Sequence, residues 1–241
     1  MNSVNSITGC LAQKSLVLDD ASSDPASPAL VVGFGQGTFD AEGSEQPGPY
    51  FSRTIHWPGG ASGVTIGRGY DMGSRTQAQV VRELISAGMD TCDAQRLSQA
   101  AGLRGQGAQL FFRRERQNSP LMPLGVQKAL FELVTTAETV ADIQRIFKKP
   151  DVAAKYGEVS WASLPTPVQE IVFDLRYRGD YTPRTRELIQ PLLVAGDTAG
   201  LQKVMLDTDL WRGFNVPEGR IRARTEMAQR LEVNTDAERL P

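Results

Sequence analysis

Apolar positions recur at helical spacing from Thr76 onward and hardly at all before it. Thr76-Gln77-Ala78-Gln79 has the form of a capping box, and Val80, Val81, Leu84 and Ile85 follow until Gly88, which predicts a helix over 77–87. Further helices are predicted from Asp93 to Gly102, over 105–117 with Leu110 and Phe111, over 126–134 with Val126, Leu130 and Leu133 turned inward together with Ala129 and Phe131, and over 138–147. Thr166-Pro167-Val168-Gln169 reads as a second capping box with proline at the first helical position, leading into Val168, Ile171, Val172 and Leu175. Helices at 184–194, 197–207 and 218–232 complete a helical C-terminal two-thirds without repeats or low-complexity tracts.

Residues 1–28, ending in DDASSDPASP, are too polar to build a core and read as a leader or linker. ALVVGF at 29–34 fits a short strand or the first turn of a helix. From there to Gly73 the chain is rich in glycine and proline, with one segment of period two. In VTIGRGY (64–70), Val64 and Ile66 share a face and Thr65 takes the other, the pattern of a strand at a sheet edge or hairpin. The predicted class is α+β, with a small β-containing segment at 29–75, a larger helical lobe at 76–232 and a tail at 233–241.

The chain has 241 residues, 40% apolar and 22% charged, enough for one domain of two lobes. It has no apolar run of roughly 18 residues, and its first twenty residues lack the basic start and apolar stretch of a secretory signal. Net charge is −2, with seven acids and four bases in residues 1–80 against 21 and 22 in residues 81–241, which indicates neither a nucleic-acid nor a membrane-surface partner. The single histidine, His56, excludes metal sites that need two imidazoles. Cys10 and Cys92 cannot form a CxxC pair; one disulfide and two free buried thiols are the alternatives.

Candidate chemistry concentrates in residues 38–74, where Asp40, Glu42, Glu45, His56, Trp57, Thr65, Arg68, Tyr70 and Asp71 sit on glycine-rich backbone. Solvated turns are the plain alternative. GFGQG at 33–37 lacks the spacing and the following βαβ unit of a nucleotide loop. A thiol dyad of Cys10 or Cys92 with His56 would make a cysteine peptidase, of the kind that cleaves peptide bonds in cell walls.

Glu42-Gly43, SGVTIGRGYDMG at 62–73, LPTPVQEIVFDLRYRGDY at 164–181 and WRGFNVPEGRIRARTEMAQRL at 211–231 together resemble the phage-type lysozyme family, including the lysozyme-like domains of pesticin-type toxins. The resemblance spans roughly residues 30–232. It implies a lysozyme-like fold, with a cleft between the small β-containing lobe and the helical lobe, and a muramidase cleaving the β-1,4 bond between N-acetylmuramic acid and N-acetylglucosamine, with no cofactor. By the same resemblance Glu42 is the general acid and Thr65 positions the attacking water. The family's aspartate between these two has no counterpart, because residues 46–64 contain no Asp or Glu. A second carboxylate is the ordinary requirement of glycoside hydrolysis. Asp71, Glu45 and His56 are the candidates for that role; the other reading of Asp71 is a turn cap or a partner of Arg68 or Arg75, and that of Glu45 a solvated loop charge.

His56, Trp57, Arg68 and Tyr70 are candidate substrate-binding residues, with packing the alternative for the aromatic pair. The arginine-rich helix at 220–230 reads as a solvated face, with Glu226 and Arg230 as a supporting pair and one arginine reaching an anionic peptide stem. The expected partners are peptidoglycan glycan strands, together with a cognate immunity protein or delivery machinery. A monomer is expected, acting in the periplasm or wall of a target bacterium as an effector, bacteriocin or endolysin domain. A non-catalytic wall-binding module with the same fold is the competing class.

Overall fold

The computed structural model describes residues 30–48 and 51–231; the polar leader and the C-terminal tail lie outside the described residues. Among the described residues the first regular element is neither a strand nor part of a glycine-rich loop. Residues 30–34 are irregular, and Gly35 turns the chain into α1 (Gln36–Ala41), which buries Thr38 and Phe39. Six residues are too few for a period to show in the sequence.

The predicted hairpin forms. β1 (Thr65–Ile66) pairs antiparallel with β2 (Tyr70–Asp71), with Thr65 opposite Asp71 and Ile66 opposite Tyr70. The strand-like segment before it adds a third row, since His56 and Thr65 exchange backbone hydrogen bonds of 2.8 and 2.9 Å. The turn needs glycine: Gly69 has φ +88°, and a Cβ there would collide with the Tyr177 hydroxyl.

α2 (Gln77–Ser86) begins with the predicted capping box, Thr76 and Gln79 bonding each other's backbone. α3 (Thr91–Leu97) starts earlier than predicted because Asp90 accepts from the Cys92 and Asp93 amides and so caps it. α4 (Gly105–Glu115) follows, with Phe111 buried and Leu110 58% exposed. The two helices predicted over 126–134 and 138–147 are one continuous rod from 124 to 147, made of α5 (Leu124–Leu130), a π-helical segment at Phe131–Thr136, and α6 (Ala137–Phe147). Leu130 and Phe131 are buried as expected, but along the wider π turn the inward stripe continues through Thr135, and Leu133 points to solvent, 58% exposed.

α7 (Pro150–Tyr156) and α11 (Thr208–Gly213) are short helices absent from the sequence reading. The capping box predicted at Thr166 does not form. α8 (Thr166–Arg178) is entered from Pro165 without a side-chain cap, and the Gln169 amide donates instead to the Trp161 carbonyl at 2.8 Å. Thr182 and Thr185 build a reciprocal cap for α9 (Pro183–Ala195). α10 (Thr198–Leu206) and α12 (Glu218–Gln229) complete the mostly helical α+β chain with its two-stranded sheet.

The buried side chains form two clusters that divide at Leu130 and Phe131, inside the long rod, rather than at residues 75 and 76. One unites the hairpin residues Val64, Ile66 and Tyr70 with α2, α3, α4 and α5. The other gathers α1, α6, α9, α10 and α12 around α8, whose residues 171–175 are all fully buried. Each large aliphatic or aromatic side chain so buried contributes roughly 1.5–3 kcal/mol. No helix among the described residues is long and apolar enough to cross a membrane.

Candidate functional site

Glu42 is the C-cap of α1, and its amide closes the helix onto the Phe39 carbonyl. The helix end is fixed from below by Phe39, 1% exposed and packed edge-on against Phe131 with ring centroids 5.1 Å apart. From the side it is held by Arg68 in the hairpin turn, which donates to the carbonyls of Phe39 at 2.7 Å and Gly43 at 2.5 Å while stacking on the Phe39 ring. A cation at the C-terminal end of a helix satisfies carbonyls that would otherwise lack partners. Arg68 is 6% exposed, so its place is to bind the hairpin to the loop that carries Glu42, not to line an open substrate surface.

The Glu42 carboxylate pairs with Arg220 of α12. Arg220 also reaches Asp174 of α8 at 2.5 Å, and Asp174 accepts from Arg224 at 2.6 Å and from the Thr38 hydroxyl at 3.1 Å. Arg224 continues to Asp180, which Arg178 also holds. Acid and base alternate along this chain from Glu42 to Arg178, and Asp174 and Arg224 are both fully buried. Burial and the neighbouring Arg224 pull the Arg220 guanidinium down to about 10, still charged at neutral pH. Burial pushes the Asp174 carboxyl up, opposed by the charge and hydrogen bond of Arg224 and the hydroxyl of Thr38. The reading of residues 220–230 as a solvated face is corrected here: Arg220 and Arg224 point into the core, where Trp211 lies under Arg224.

His56, Thr65 and Asp71 stand at one register on three adjacent strands, so they share a face opposite the buried Val64 and Ile66. Asp71 does not offer a free carboxylate. One oxygen accepts from the Gly73 amide at 2.6 Å and the other from the Gly63 amide at 3.2 Å. Both neighbours must be glycine, since a Cβ on either would come within 3 Å of the Asp71 carboxylate. Asp71 is the cap of its turn. His56 keeps its ring; burial lowers its pKa below 6.5, against the opposing pulls of a Thr54 backbone hydrogen bond and the Asp71 charge. Thr65 is 4% exposed beside it.

The family described as a domain of unknown function, DUF8812, matches residues 35–225. The chain belongs to the DUF8812 family. No curated protein matches it significantly. The matched span runs from the start of α1 to the buried arginines of α12, and so contains every residue of the ion-pair chain as well as the His56, Thr65 and Asp71 row.

The remaining candidates separate. Tyr70 is 1% exposed, donates to Glu83 at 2.7 Å and lies under Arg75, so it is core rather than a saccharide platform. Trp57 is half-buried against the hairpin cluster, with its indole N–H on the Ser62 carbonyl at 3.2 Å. Glu45 is not a solvated loop charge, being bound by Arg68 at 2.7 Å and by the Gln127 amide at 2.5 Å. Cys92 is disulfide-bonded and therefore no nucleophile, and Cys10 lies outside the described residues. Among the described residues no group of three His, Cys, Asp or Glu side chains is arranged to hold a metal ion. Sequence reasoning missed Asp174. The available signal was an acid inside the apolar run IVFDL, which cannot be buried there without cationic partners.

Proposed function

We propose that the chain is a peptidoglycan hydrolase, a muramidase of lysozyme-like two-lobed architecture in which Glu42 protonates the glycosidic oxygen. The observation that carries this reading is the buried ion-pair chain behind Glu42. Holding Arg220, Asp174 and Arg224 in the core costs desolvation that a hydrophobic packing would avoid, and such arrangements concentrate at functional sites. Because Asp174 balances Arg220, protonating Glu42 breaks one ion pair without stranding the arginine.

The base side of the reaction falls to the sheet face. With Asp71 and Glu45 both committed, the second group is His56, neutral at pH 7 because of its burial, taking a proton from a water that Thr65 holds. An acid and a base separated by a water correspond to inversion at the anomeric carbon. Activity then falls as the pH drops far enough to protonate His56, which burial holds below its ordinary value. No cofactor enters this scheme. Glycan strands are the substrate, and an immunity protein is the partner that a toxin of this kind would require.

The commitment of every candidate second carboxylate favours one competing reading, a wall-binding module without turnover. Release of reducing ends from purified peptidoglycan separates the two. The muramidase releases them and its Glu42→Gln variant does so about 10²–10⁴-fold more slowly; a binding module releases none from either protein.

A further inference from the structure

Positive charge is concentrated in one stretch of a chain whose net charge is −2. Residues 94–131 hold six bases, Arg96, Arg104, Arg113, Arg114, Arg116 and Lys128, against a single acid, Glu115. Totals over residues 81–241 hide this excess, because the acids of the later helices offset it. The segment packed alongside adds none: residues 51–63 contain Arg53 and His56 and neither Asp nor Glu. It spans α4 from end to end. The Gly105 amide donates to the Ser62 carbonyl at 3.1 Å, and beyond the other end Arg53 and Met122 exchange two hydrogen bonds of 2.8 Å.

The excess faces solvent at the C-terminal end of α4. Leu110, Arg113 and Arg114 share one helix face by their spacing of three and four, with Leu110 58% exposed. Arg113 and Arg116 are exposed, and among the described residues neither guanidinium makes a hydrogen bond or an ion pair. Arg114 and Arg96 share Glu115, at 2.7 and 3.8 Å. On α3, Asp93 stands one turn before Arg96 and Asp90 caps the helix; with these acids counted against Arg53, Arg96 and the three arginines of the α4 end, the surface stays positive. Arg104 is turned to the Gly73 carbonyl at 2.9 Å, and Lys128 is neutralised by Glu132 at 2.6 Å. Complementing the helix terminus would require bonds to its carbonyls, and none of the three guanidiniums makes one. Arg114 and Arg116 lie over the rings of Phe111 and Phe112 instead. Leu121, 52% exposed, follows in the loop that Arg53 anchors through Met122.

We propose that this surface docks the chain on an anionic lipid bilayer, with Arg113, Arg114 and Arg116 meeting headgroup phosphates while Leu110 and Leu121 enter the interface beside them. The planar guanidinium fork matches a phosphate, and arginines close to an anionic leaflet are attracted by its surface potential. Charge alone would suit any polyanion. The exposed leucines select the bilayer, because a soluble polyanion leaves them in water whereas the boundary between headgroups and acyl chains takes up their apolar area. None of these residues belongs to the ion-pair chain of Glu42 or to the His56, Thr65 and Asp71 row, so the docking surface stands or falls independently of the muramidase reading. In a muramidase it would hold the enzyme on the membrane that the wall encloses.

The test is co-sedimentation of the full chain with vesicles of equal parts phosphatidylglycerol and phosphatidylcholine, and with vesicles of phosphatidylcholine alone, in about 0.1 M salt. Three double variants are compared, each checked for folding by circular dichroism: Arg113→Ser with Arg116→Ser, Leu110→Ser with Leu121→Ser, and Lys148→Ser with Lys149→Ser as an equal change of charge at the end of α6. The parent is expected to bind the anionic vesicles and not the neutral ones. The arginine variant is expected to bind about 25-fold more weakly, about fivefold for each arginine, and the lysine variant as the parent does. The leucine variant is expected to lose vesicle affinity several-fold while binding soluble polyphosphate like the parent. No binding of the parent to anionic vesicles, or equal losses in the arginine and lysine variants, overturns the proposal. Vesicle binding that the leucine changes leave intact overturns it as well, since the surface would then be a site for polyanions in general.

Discussion

Replacing Asp174 by asparagine removes the negative charge that Arg220 and Arg224 share while keeping the size of the side chain. Three hydrogen bonds end on this carboxylate, two of them from guanidinium groups. Bonds to charged groups contribute about 1.5–3 kcal/mol each, and stripping one partner from a buried ion pair costs about 3–5 kcal/mol. Arg220 keeps Glu42 and Arg224 keeps Asp180, which places the expected loss at the lower end, about 3 kcal/mol. In a chain of this length that lowers Tm by roughly 6–12 °C. Urea unfolding measures it as a shifted midpoint at unchanged m. An Arg224→Gln change in the Asp174→Asn background is expected to cost at least about 1 kcal/mol less than it does alone, since the two share one network. A loss below about 1 kcal/mol for Asp174→Asn, or strict additivity in the double variant, refutes the claim that this network is closed and ionised in the core.

Three further outcomes follow from the geometry. Leu130→Ala is expected to cost about 2–5 kcal/mol and Leu133→Ala less than about 0.5, a contrast that urea unfolding resolves and that burial of both leucines, as a regular helix was expected to give, would remove. Gly69→Ala, which forces a Cβ onto the Tyr177 hydroxyl at positive φ, is expected to destabilise by about 2 kcal/mol or more. His56 titrates below 6.5 in the folded chain, so the unfolded chain takes the proton first. Its contribution to stability is therefore complete above pH 6.5 and declines as pH falls toward the folded value, a slope that His56→Gln abolishes. NMR of the single imidazole checks this directly, and titration at or above 6.5 contradicts it.

Where local chemistry sufficed, the sequence was legible. Thr76 and Gln79 cap α2 as their spacing demands, and the glycines of VTIGRGY mark a hairpin because only they allow its turn. Features decided by distant partners were not. Thr166 and Gln169 carry the right residue types for a cap, yet Trp161 takes the glutamine and Pro165 sets the helix entry. The π segment at Phe131–Thr136 has no local signature, and one widened turn was enough to send Leu133 outward. In the site, Glu42 and Thr65 stood out through resemblance, whereas Arg220 and Arg224 looked like surface because an arginine buried against Asp174 has the same sequence as one in water. Asp71 shows the converse: its acid lies at a plausible place, and only the two amides it binds reveal that it holds a turn.

The most direct test of the account is to digest purified peptidoglycan with the parent and with Glu42→Gln, reduce the products with borodeuteride and identify the labelled ends by mass spectrometry. Deuterated muramitol ends from the parent, suppressed by about 10²-fold or more in the variant, are the predicted result. Intact wall retained equally by both proteins, or muramitol ends released equally by both, contradicts the assignment of Glu42 as the acid of a muramidase.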